Sequence, residues 1–194
     1  PMLYHSVRVL RDNGIGDITI VSSYTGVTQL SQHMGAGFSY MVQPRAGGIV
    51  DALLFAERPG TKDQVAVILG DNIFLPSPVL ISKAPAPAKC FLYEAKDLSG
   101  FGVATLAGGR VARVTEKPAH PQSKYAVVGL YLFSADVFEL ASKVQPSARG
   151  ELEITDLLNA YAVSGQLRHE IYTGFWGDAG TPAGLEECRC AFSW

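Results

Sequence analysis

Apolar and polar positions along this chain follow two alternating periods, one typical of helices and one typical of short buried strands. Leu3, Val7 and Leu10 recur at helical spacing, and the Asn13-Gly14 pair that follows is typical of a helix end. Further along, the predicted elements are a strand over 17–21, a helix over 27–34, a strand over 38–42, a helix over 48–57 and a strand that begins at Val65. This alternation predicts an α/β fold with a mostly parallel sheet.

The second half of the chain adds antiparallel signals. Apolar runs over 103–106 and 110–115 flank Ala107-Gly108-Gly109, a spacing that predicts an antiparallel hairpin. Prolines between residues 75 and 88 predict a loop or a broken helix on the surface. The remaining predicted elements are a strand over 125–133, a helix capped by Ser134, a helix over 154–163, a strand over 168–172 and a helix after Gly180.

Composition narrows the class of protein. A chain of 194 residues with 47% hydrophobic and 18% charged residues can bury one core, so we expect a single domain. The net charge of −2 and the scattered basic residues do not predict the basic surface that binds nucleic acid. No apolar run is long enough to span a bilayer, so we expect a cytoplasmic protein with no nucleic acid or membrane as partner. The three cysteines match no zinc spacing and are interpreted as reduced thiols.

The apolar run from Val65 to Leu69 ends abruptly on Gly70, Asp71 and Asn72. A β-branched run of this kind predicts a strand that is buried on both faces. Ligands in open α/β sheets lie beyond the carboxyl ends of the strands, where Gly70 would allow close approach and Asp71 would offer a hard oxygen ligand. A plain turn is the alternative interpretation, because all three residues favour turns.

Several short segments, taken in order, carry a family resemblance from the first residue almost to the last. They are Pro1-Met2-Leu3-Tyr4, Gln43-Pro44-x-x-Gly47-Gly48-Ile49-x-x-Ala52, Leu69-Gly70-Asp71-Asn72-Ile73-Phe74, Phe101-Gly102-Val103, Glu116-Lys117-Pro118, Val128-Gly129-Leu130-Tyr131, Arg149-Gly150-Glu151-Leu152-Glu153-Ile154-Thr155-Asp156 and Trp176-Gly177-Asp178-Ala179-Gly180-Thr181. Through these segments the chain resembles the sugar-1-phosphate nucleotidylyltransferases, and most closely the glucose-1-phosphate thymidylyltransferases. The resemblance implies one domain over residues 1–194 with a Rossmann-like, three-layer, mixed but mostly parallel sheet, and with the hairpin in its sugar-binding half.

The same resemblance implies a reaction. A phosphate oxygen of glucose 1-phosphate would attack the α-phosphorus of dTTP, which gives dTDP-glucose and pyrophosphate. Transfer between such charged groups depends mainly on positioning and on charge neutralisation. Mg²⁺ is the implied cofactor because it binds one or two carboxylates and completes its shell with phosphate oxygens and water. Asp71 and Asp178 match the metal-binding, catalytic carboxylates of the family; two solvated loop acids are the alternative.

Substrate-binding positions also follow from the resemblance. On the sugar side they are Gly102, Glu116, Lys117, Val128 and Tyr131, with Arg149 as the phosphate contact. On the nucleotide side they are Gln43 and Gly48, which match the positions that meet the base. Read from the residues alone, Glu116-Lys117 is an ordinary surface pair, Arg149 is a residue at a helix entry, and Gln43 is a solvated strand end. The family commonly forms homo-oligomers, so self-association is also expected.

Two departures from the family pattern qualify these expectations. Position 51 is Asp where many thymidylyltransferases carry Gln, and Val50 replaces a usual Ala, which leaves the nucleotide preference open. Family members also begin with a strand and a glycine-rich loop that wraps the triphosphate, and the chain as given starts just after that segment. We therefore expect it to lack the first central strand and this loop. A non-catalytic sugar-phosphate or nucleotide-sugar binding module, or an incomplete fragment of such an enzyme, is the alternative function.

Overall fold

A computed structural model describes residues 2–58, 60–80 and 86–191. In chain order the elements are α1 (Leu3–Asp12), β1 (Thr19–Ser22), α2 (Tyr24–Met34), β2 (Ser39–Val42), α3 (Ile49–Phe55), β3 (Val65–Ile68), β4 (Asn72–Leu75), β5 (Ala88–Glu94), β6 (Gly102–Ala107), β7 (Arg110–Glu116), β8 (Tyr125–Phe133), α4 (Val137–Ala141), α5 (Ile154–Val163), β9 (Leu167–Ile171), β10 (Phe175–Asp178) and α6 (Pro182–Ala191). None of the described helices is long and apolar enough to cross a membrane.

The long strand β8 organises the main sheet. The strand order is β7-β6-β8-β5-β9, and β3 pairs with β8 in addition. β8 runs antiparallel to β3, β5 and β6, whereas β5 and β9 are parallel to each other. Four of the six strands therefore share one direction, and β7 and β8 oppose them. The described part of the chain also forms a parallel β1-β2 pair and an antiparallel β4-β10 pair.

The sheet separates two apolar clusters, which makes the three layers visible in the side chains. Tyr131 and Phe133 of β8 belong to one cluster, together with the buried faces of α3, α4 and α5. Leu130 and Leu132 of the same strand belong to the other cluster, together with α1 and β1. Because successive side chains of a strand point to opposite faces, β8 supplies both cores. The predicted α/β class, with a mixed and mostly parallel sheet, is confirmed, and so is the hairpin of β6 and β7.

Some local predictions were wrong. The strand β3 is only partly buried along its length, because one of its edges lines a cavity, and among the described residues β3 pairs with β8 alone. Asp136, not Ser134, is the N-cap of α4. Ser134 instead donates a hydrogen bond to the carbonyl oxygen of Pro87 at 3.1 Å. The proline-rich loop is irregular where it is described, yet Leu80 within it is buried, and residues 81–85 lie outside the described part.

Gly129 in the middle of β8 allows the loop after β3 to pack directly on the strand. A Cβ atom at this position would lie 2.6 Å from Leu69 Cδ1 and 2.9 Å from Asn72 Cγ. The N–H of Leu69 also donates to the Gly129 carbonyl oxygen at 2.9 Å. The glycine is therefore required by close approach rather than by its backbone angles.

The substitution Gly129→Ala should lower the free energy of unfolding by about 1–3 kcal/mol, because the new methyl group overpacks the Leu69 contact. Urea denaturation followed by circular dichroism measures the change. Gly16→Ala is the matched control, since a Cβ there meets nothing within 4 Å. Equal stability of the two variants would contradict the close-approach explanation.

Candidate functional site

A single large cavity collects the predicted site residues. It has a volume of about 1710 Å³ and lies between β1, β3 and the helices α1 and α3. Within the part of the chain that the structure describes, β1 pairs only with β2 and β3 only with β8, so both strands turn an unpaired edge toward the cavity. All of the predicted site residues except Val128 line it, namely Gln43, Gly48, Asp71, Gly102, Glu116, Lys117, Tyr131, Arg149 and Asp178.

Asp71 and Asp178 face one small space. Asp71 follows β3, and Asp178 ends β10, which pairs with β4 so that Asp178 lies opposite Asn72. A Cβ atom on Gly180 would lie 2.8 Å from Asp71 Oδ2 and 2.9 Å from Asp178 Oδ1. Only glycine leaves this space open. The pairing of β4 with β10, which the sequence did not predict, brings the two carboxylates close to each other.

The side chain of Asn72 holds this arrangement in place. Its Nδ2 donates to Asp71 Oδ1 at 2.9 Å, and its Oδ1 accepts from the N–H of Gly129 at 2.9 Å and from Trp176 Nε1 at 2.8 Å. Asn72 is 2% exposed. A buried amide with three partners of this kind fixes the orientation of each of them.

The electrostatics of the carboxylate pair favour a bound cation. Burial raises the pKa of Asp178, and the nearby negative charge of Asp71 raises it further. A hydrogen bond from the Gly180 N–H and the positive charge of Lys117 act in the opposite direction. The ionised form of Asp178 is therefore less stable in the folded protein than in water. A cation between the two carboxylates would offset this electrostatic cost.

The donor set suits Mg²⁺ better than a metal that needs a full protein cage. Among residues 2–58, 60–80 and 86–191, no three His, Cys, Asp or Glu side chains are grouped so that they could hold a metal ion. Mg²⁺ is commonly held by one or two carboxylates, with substrate phosphates and water in its other positions. Asp71 and Asp178 fit that requirement.

Glu116 and Lys117 also line the cavity. Glu116 ends β7 opposite Gly102, and a Cβ on Gly102 would lie 3.5 Å from Glu116 Oε2. Burial raises the pKa of Glu116, Glu153 adds to the shift, and Lys117 and Arg149 oppose it. Lys117 has a φ of 39°, a left-handed conformation that costs energy for a residue with a side chain. Its N–H donates to Phe101 O at 3.1 Å.

Carboxylates of the protein itself hold the side chain of Arg149. Its Nη2 donates to the two oxygens of Glu153 at 2.9 and 2.8 Å, and also to Glu116 Oε1 at 3.2 Å. The hydrogen bond with Glu153 is the main reason that the pKa of Arg149 is raised, so the guanidinium stays charged. Glu153 is nearly buried and also accepts from Ser147 Oγ at 2.7 Å. No described residue accepts a hydrogen bond from Nη1, which is therefore available to a ligand.

Gln43 and Gly48 form one wall of the cavity, Gln43 directly after β2 and Gly48 at the N-cap of α3. Gly48 has a φ of 94°, and a Cβ there would lie 2.5 Å from the Leu152 carbonyl oxygen. Any other residue would be both strained and blocked. The Leu152 N–H donates to Gly47 O at 2.8 Å, so this loop is fastened to the segment that carries Arg149 and Glu153.

Two predicted sugar contacts are placed in the core. Val128 is fully buried in the cluster that contains α1, and its side chain does not line the cavity. Tyr131 lines the cavity, yet it is 2% exposed and stacks on Phe133. Burial raises the pKa of the Tyr131 hydroxyl, so it is neutral. Sequence reasoning did not single out Asn72 or Glu153 as site residues, although both lie inside segments that carry the resemblance.

Comparison with known proteins gives a consistent picture. The sequence matches the Nucleotidyl transferase family over residues 1–192. It is 38% identical to a glucose-1-phosphate thymidylyltransferase from Actinoplanes sp. over 98% of this chain and 66% of that protein, and 35% identical to one from Neisseria meningitidis over 96% of this chain and 70% of that protein. The chain thus spans about two thirds of the length of these relatives.

Solved structures agree with the fold. A Bacillus anthracis protein assigned as glucose-1-phosphate thymidylyltransferase, crystallised with sucrose, matches with a TM-score of 0.90 and 37% identity over 98% of this chain and 82% of that chain. A UDP-glucose pyrophosphorylase in complex with UDP-glucose matches with a TM-score of 0.78 and 23% identity over 100% of this chain and 86% of that chain, a likeness that concerns the fold alone.

The substitution Asn72→Ala should lower the free energy of unfolding by about 2 kcal/mol or more, because the indole N–H of Trp176 and the N–H of Gly129 lose their acceptor. Urea denaturation measures the loss, and hydrogen exchange of the Trp176 indole followed by NMR locates it. The indole proton should exchange much faster in the variant.

Asn159→Ala is the matched control for this prediction. Asn159 also joins two backbone groups, with its Nδ2 donating to Val114 O at 2.8 Å and its Oδ1 accepting from Val114 N at 2.8 Å. That variant should lose stability and keep the Trp176 indole protected. Unchanged indole protection in Asn72→Ala would show that the hydrogen bond is not what orders this region.

Proposed function

The chain belongs to the Nucleotidyl transferase family, and on this basis we propose that it transfers a nucleotidyl group from dTTP to glucose 1-phosphate, giving dTDP-glucose and pyrophosphate. The observation that carries the proposal is the sharing of one cavity by three groups of residues. These are the carboxylate pair of Asp71 and Asp178, the polar cluster around Glu116 and Arg149, and the wall formed by Gln43 and Gly48.

The proposed reaction forms one bond and breaks one bond. A phosphate oxygen of the sugar phosphate attacks the α-phosphorus of the triphosphate, and the bond from that phosphorus to the bridging oxygen of the β-phosphate breaks. The electron pair of that bond leaves with pyrophosphate. Such a transfer needs both anions held in line and their charges balanced, and it needs no nucleophile from the protein.

The metal requirement is part of the proposal. Asp71 and Asp178 would hold Mg²⁺, with Asn72 orienting Asp71 through its 2.9 Å hydrogen bond. Bound Mg²⁺ would offset the negative charge of the phosphates during transfer. Lys117 would supply a second positive charge, since it lines the same cavity and its charge acts on Asp178.

The sugar phosphate would lie over the Gly102, Glu116 and Tyr131 side of the cavity. Carboxylate oxygens accept hydrogen bonds from sugar hydroxyls, and Gly102, which lies opposite Glu116 in the β6–β7 pair, lines the same part of the cavity. Arg149 is 42% exposed and has Nη1 available for a phosphate oxygen. Val128 would contribute through the packing of β8 beneath the sugar, because its side chain is buried.

The nucleotide base would meet Gln43 and Gly48. The side-chain amide of Gln43 offers hydrogen-bonding groups to a base edge, and the backbone of Gly48 lines the same wall of the cavity. The fastening of this loop to Leu152 ties the base wall to the segment that carries Arg149. Both substrates would therefore be positioned by one connected part of the fold.

The test of the proposal is pyrophosphate release by the purified protein with dTTP, glucose 1-phosphate and Mg²⁺, with omission of each component in turn. Release that needs all three supports nucleotidyl transfer. No release from folded protein that still binds glucose 1-phosphate in calorimetry would overturn the catalytic proposal and support a sugar-phosphate-binding module. Release with another sugar phosphate only would overturn the choice of glucose 1-phosphate.

The substitution Asp178→Asn should reduce Mg²⁺-dependent turnover by at least about 100-fold while leaving the protein folded. It should also raise the free energy of unfolding near neutral pH by up to about 1 kcal/mol. The sign follows from the raised pKa of Asp178: the fold disfavours the ionised form, so a neutral amide removes an unfavourable charge. The Gly180 N–H can still donate to the amide oxygen.

Asp97→Asn is the control for this prediction. A hydrogen bond from the backbone N–H of Ser99 lowers the pKa of Asp97, so the fold favours its ionised form and the amide should give no gain in stability. Turnover should be kept. Activity assays measure turnover and urea denaturation measures the free energy of unfolding for both variants. Full turnover by Asp178→Asn would refute the assignment of this residue to the metal site.

The substitution Glu116→Ala should weaken the binding of glucose 1-phosphate by about 10- to 100-fold and change dTTP binding much less, because it removes a carboxylate acceptor on the sugar side only. Isothermal titration calorimetry with each substrate measures both effects. Glu94→Ala is a control, since Glu94 is an exposed carboxylate paired with Lys124. A larger loss for dTTP than for the sugar phosphate would refute the placement of the sugar.

A further inference from the structure

The amide of Gln43 is held by two acceptors at the base wall. Its Nε2 donates to the carbonyl oxygen of Gly48 at 3.1 Å and to Asp51 Oδ2 at 2.7 Å. Asp51 lies in the first turn of α3, three residues after the Gly48 N-cap. The helix therefore places this carboxylate beside Gln43 at the end of β2. Both hydrogens of the amide nitrogen are used by these two bonds.

This arrangement fixes which end of the amide is left for a ligand. A carbonyl oxygen and an ionised carboxylate can only accept hydrogen bonds, so a flipped amide would set Gln43 Oε1 against two acceptors. The amide therefore keeps Nε2 on the protein side. Within the described residues nothing donates to Oε1, and Gln43 lines the cavity, so the group presented to a ligand is a hydrogen-bond acceptor.

Asp51 adds what a neutral side chain would not. With a glutamine at this position, the neighbouring amide could either accept from Gln43 Nε2 or donate to Gln43 Oε1, and it would support both orientations. A carboxylate supports only one of them, and its hydrogen bond is stronger because the acceptor carries a charge. The departure noted at position 51 therefore has a definite physical consequence.

We propose that Asp51 is a positioning residue that sets base specificity: it holds Gln43 so that Oε1 accepts the ring N–H of a pyrimidine imide, thymine or uracil. Cytosine carries an acceptor at the same ring position and would face Oε1 acceptor to acceptor. The inference rests on the proposed function, because it takes Gln43 and Gly48 as the base wall. It goes further by assigning a role to a residue that does not touch the substrate.

The first measurement compares equilibrium binding of dTTP, dCTP and N3-methyl-dTTP to the unaltered protein. Binding of dTTP should be about 10- to 100-fold tighter than binding of the other two, because dCTP and the N3-methyl analogue both lack the ring N–H. Equal binding of dTTP and N3-methyl-dTTP would overturn the inference and leave the proposed function intact. If no nucleotide binds, the proposed function fails as well.

The second measurement uses Asp51→Asn, which keeps the shape of the side chain. The ratio of the dCTP and dTTP dissociation constants should fall by about 5-fold, since a neutral amide holds Gln43 less firmly. N3-methyl-dTTP should gain nothing, because its methyl group blocks the contact in either orientation of Gln43. Each ratio comes from one preparation, so a partly unfolded sample does not change it.

Glu139→Gln serves as the matched control, because Glu139 is likewise an acid in the first turn of a helix and is exposed on α4. It should leave the ratio of the dCTP and dTTP dissociation constants unchanged. A purely structural role for Asp51 would weaken dTTP and dCTP binding equally. An unchanged ratio in Asp51→Asn would therefore overturn the positioning role.

Discussion

The buried amide of Asn72 is the interaction on which the active part of this fold depends. It is one side chain that donates to the carboxylate of Asp71 and accepts from the N–H of Gly129 in β8 and from the indole of Trp176 in β10. Aspartate would lack the donor and bring a buried charge, and leucine would lack every polar group. The side chain of Asn72 thus holds Asp71 against β8 and against β10, the strand that ends in Asp178.

Much of the fold was predictable because its signals are local. The helical spacing of Leu3, Val7 and Leu10 and the two glycines of the hairpin each specify an element without help from the rest of the chain. Strand direction was not predictable in the same way. The apolar run of β8 would look the same in either direction, and only its partners make it antiparallel. The strands β4 and β10 have four residues each, too few for a clear alternation, and they pair with each other.

The candidate site shows the same division. The resemblance selected residues that the structure brings into one cavity, but it could not show which of them are held by other protein groups. The resemblance predicted Arg149 as a phosphate contact. In the structure its guanidinium donates hydrogen bonds to Glu153 and Glu116. Gln43 was predicted to meet the base. In the structure its side-chain nitrogen donates hydrogen bonds to Asp51 and Gly48. Such contacts join positions from different elements, so they depend on the folded chain.

The charges of the cavity explain why this site would need its ligands. Asp71, Asp178 and Glu116 line the cavity, two further carboxylates pair with Arg149, and the positive charge of Lys117 acts on Asp178. The raised pKa values of Asp178 and Glu116 show that burial and like charges make the ionised forms unfavourable. A folded protein keeps such groups at a cost to its own stability, and a divalent cation with its phosphate ligands would reverse the sign of that interaction. The same carboxylates that repel one another would therefore stabilise a complex with a divalent cation.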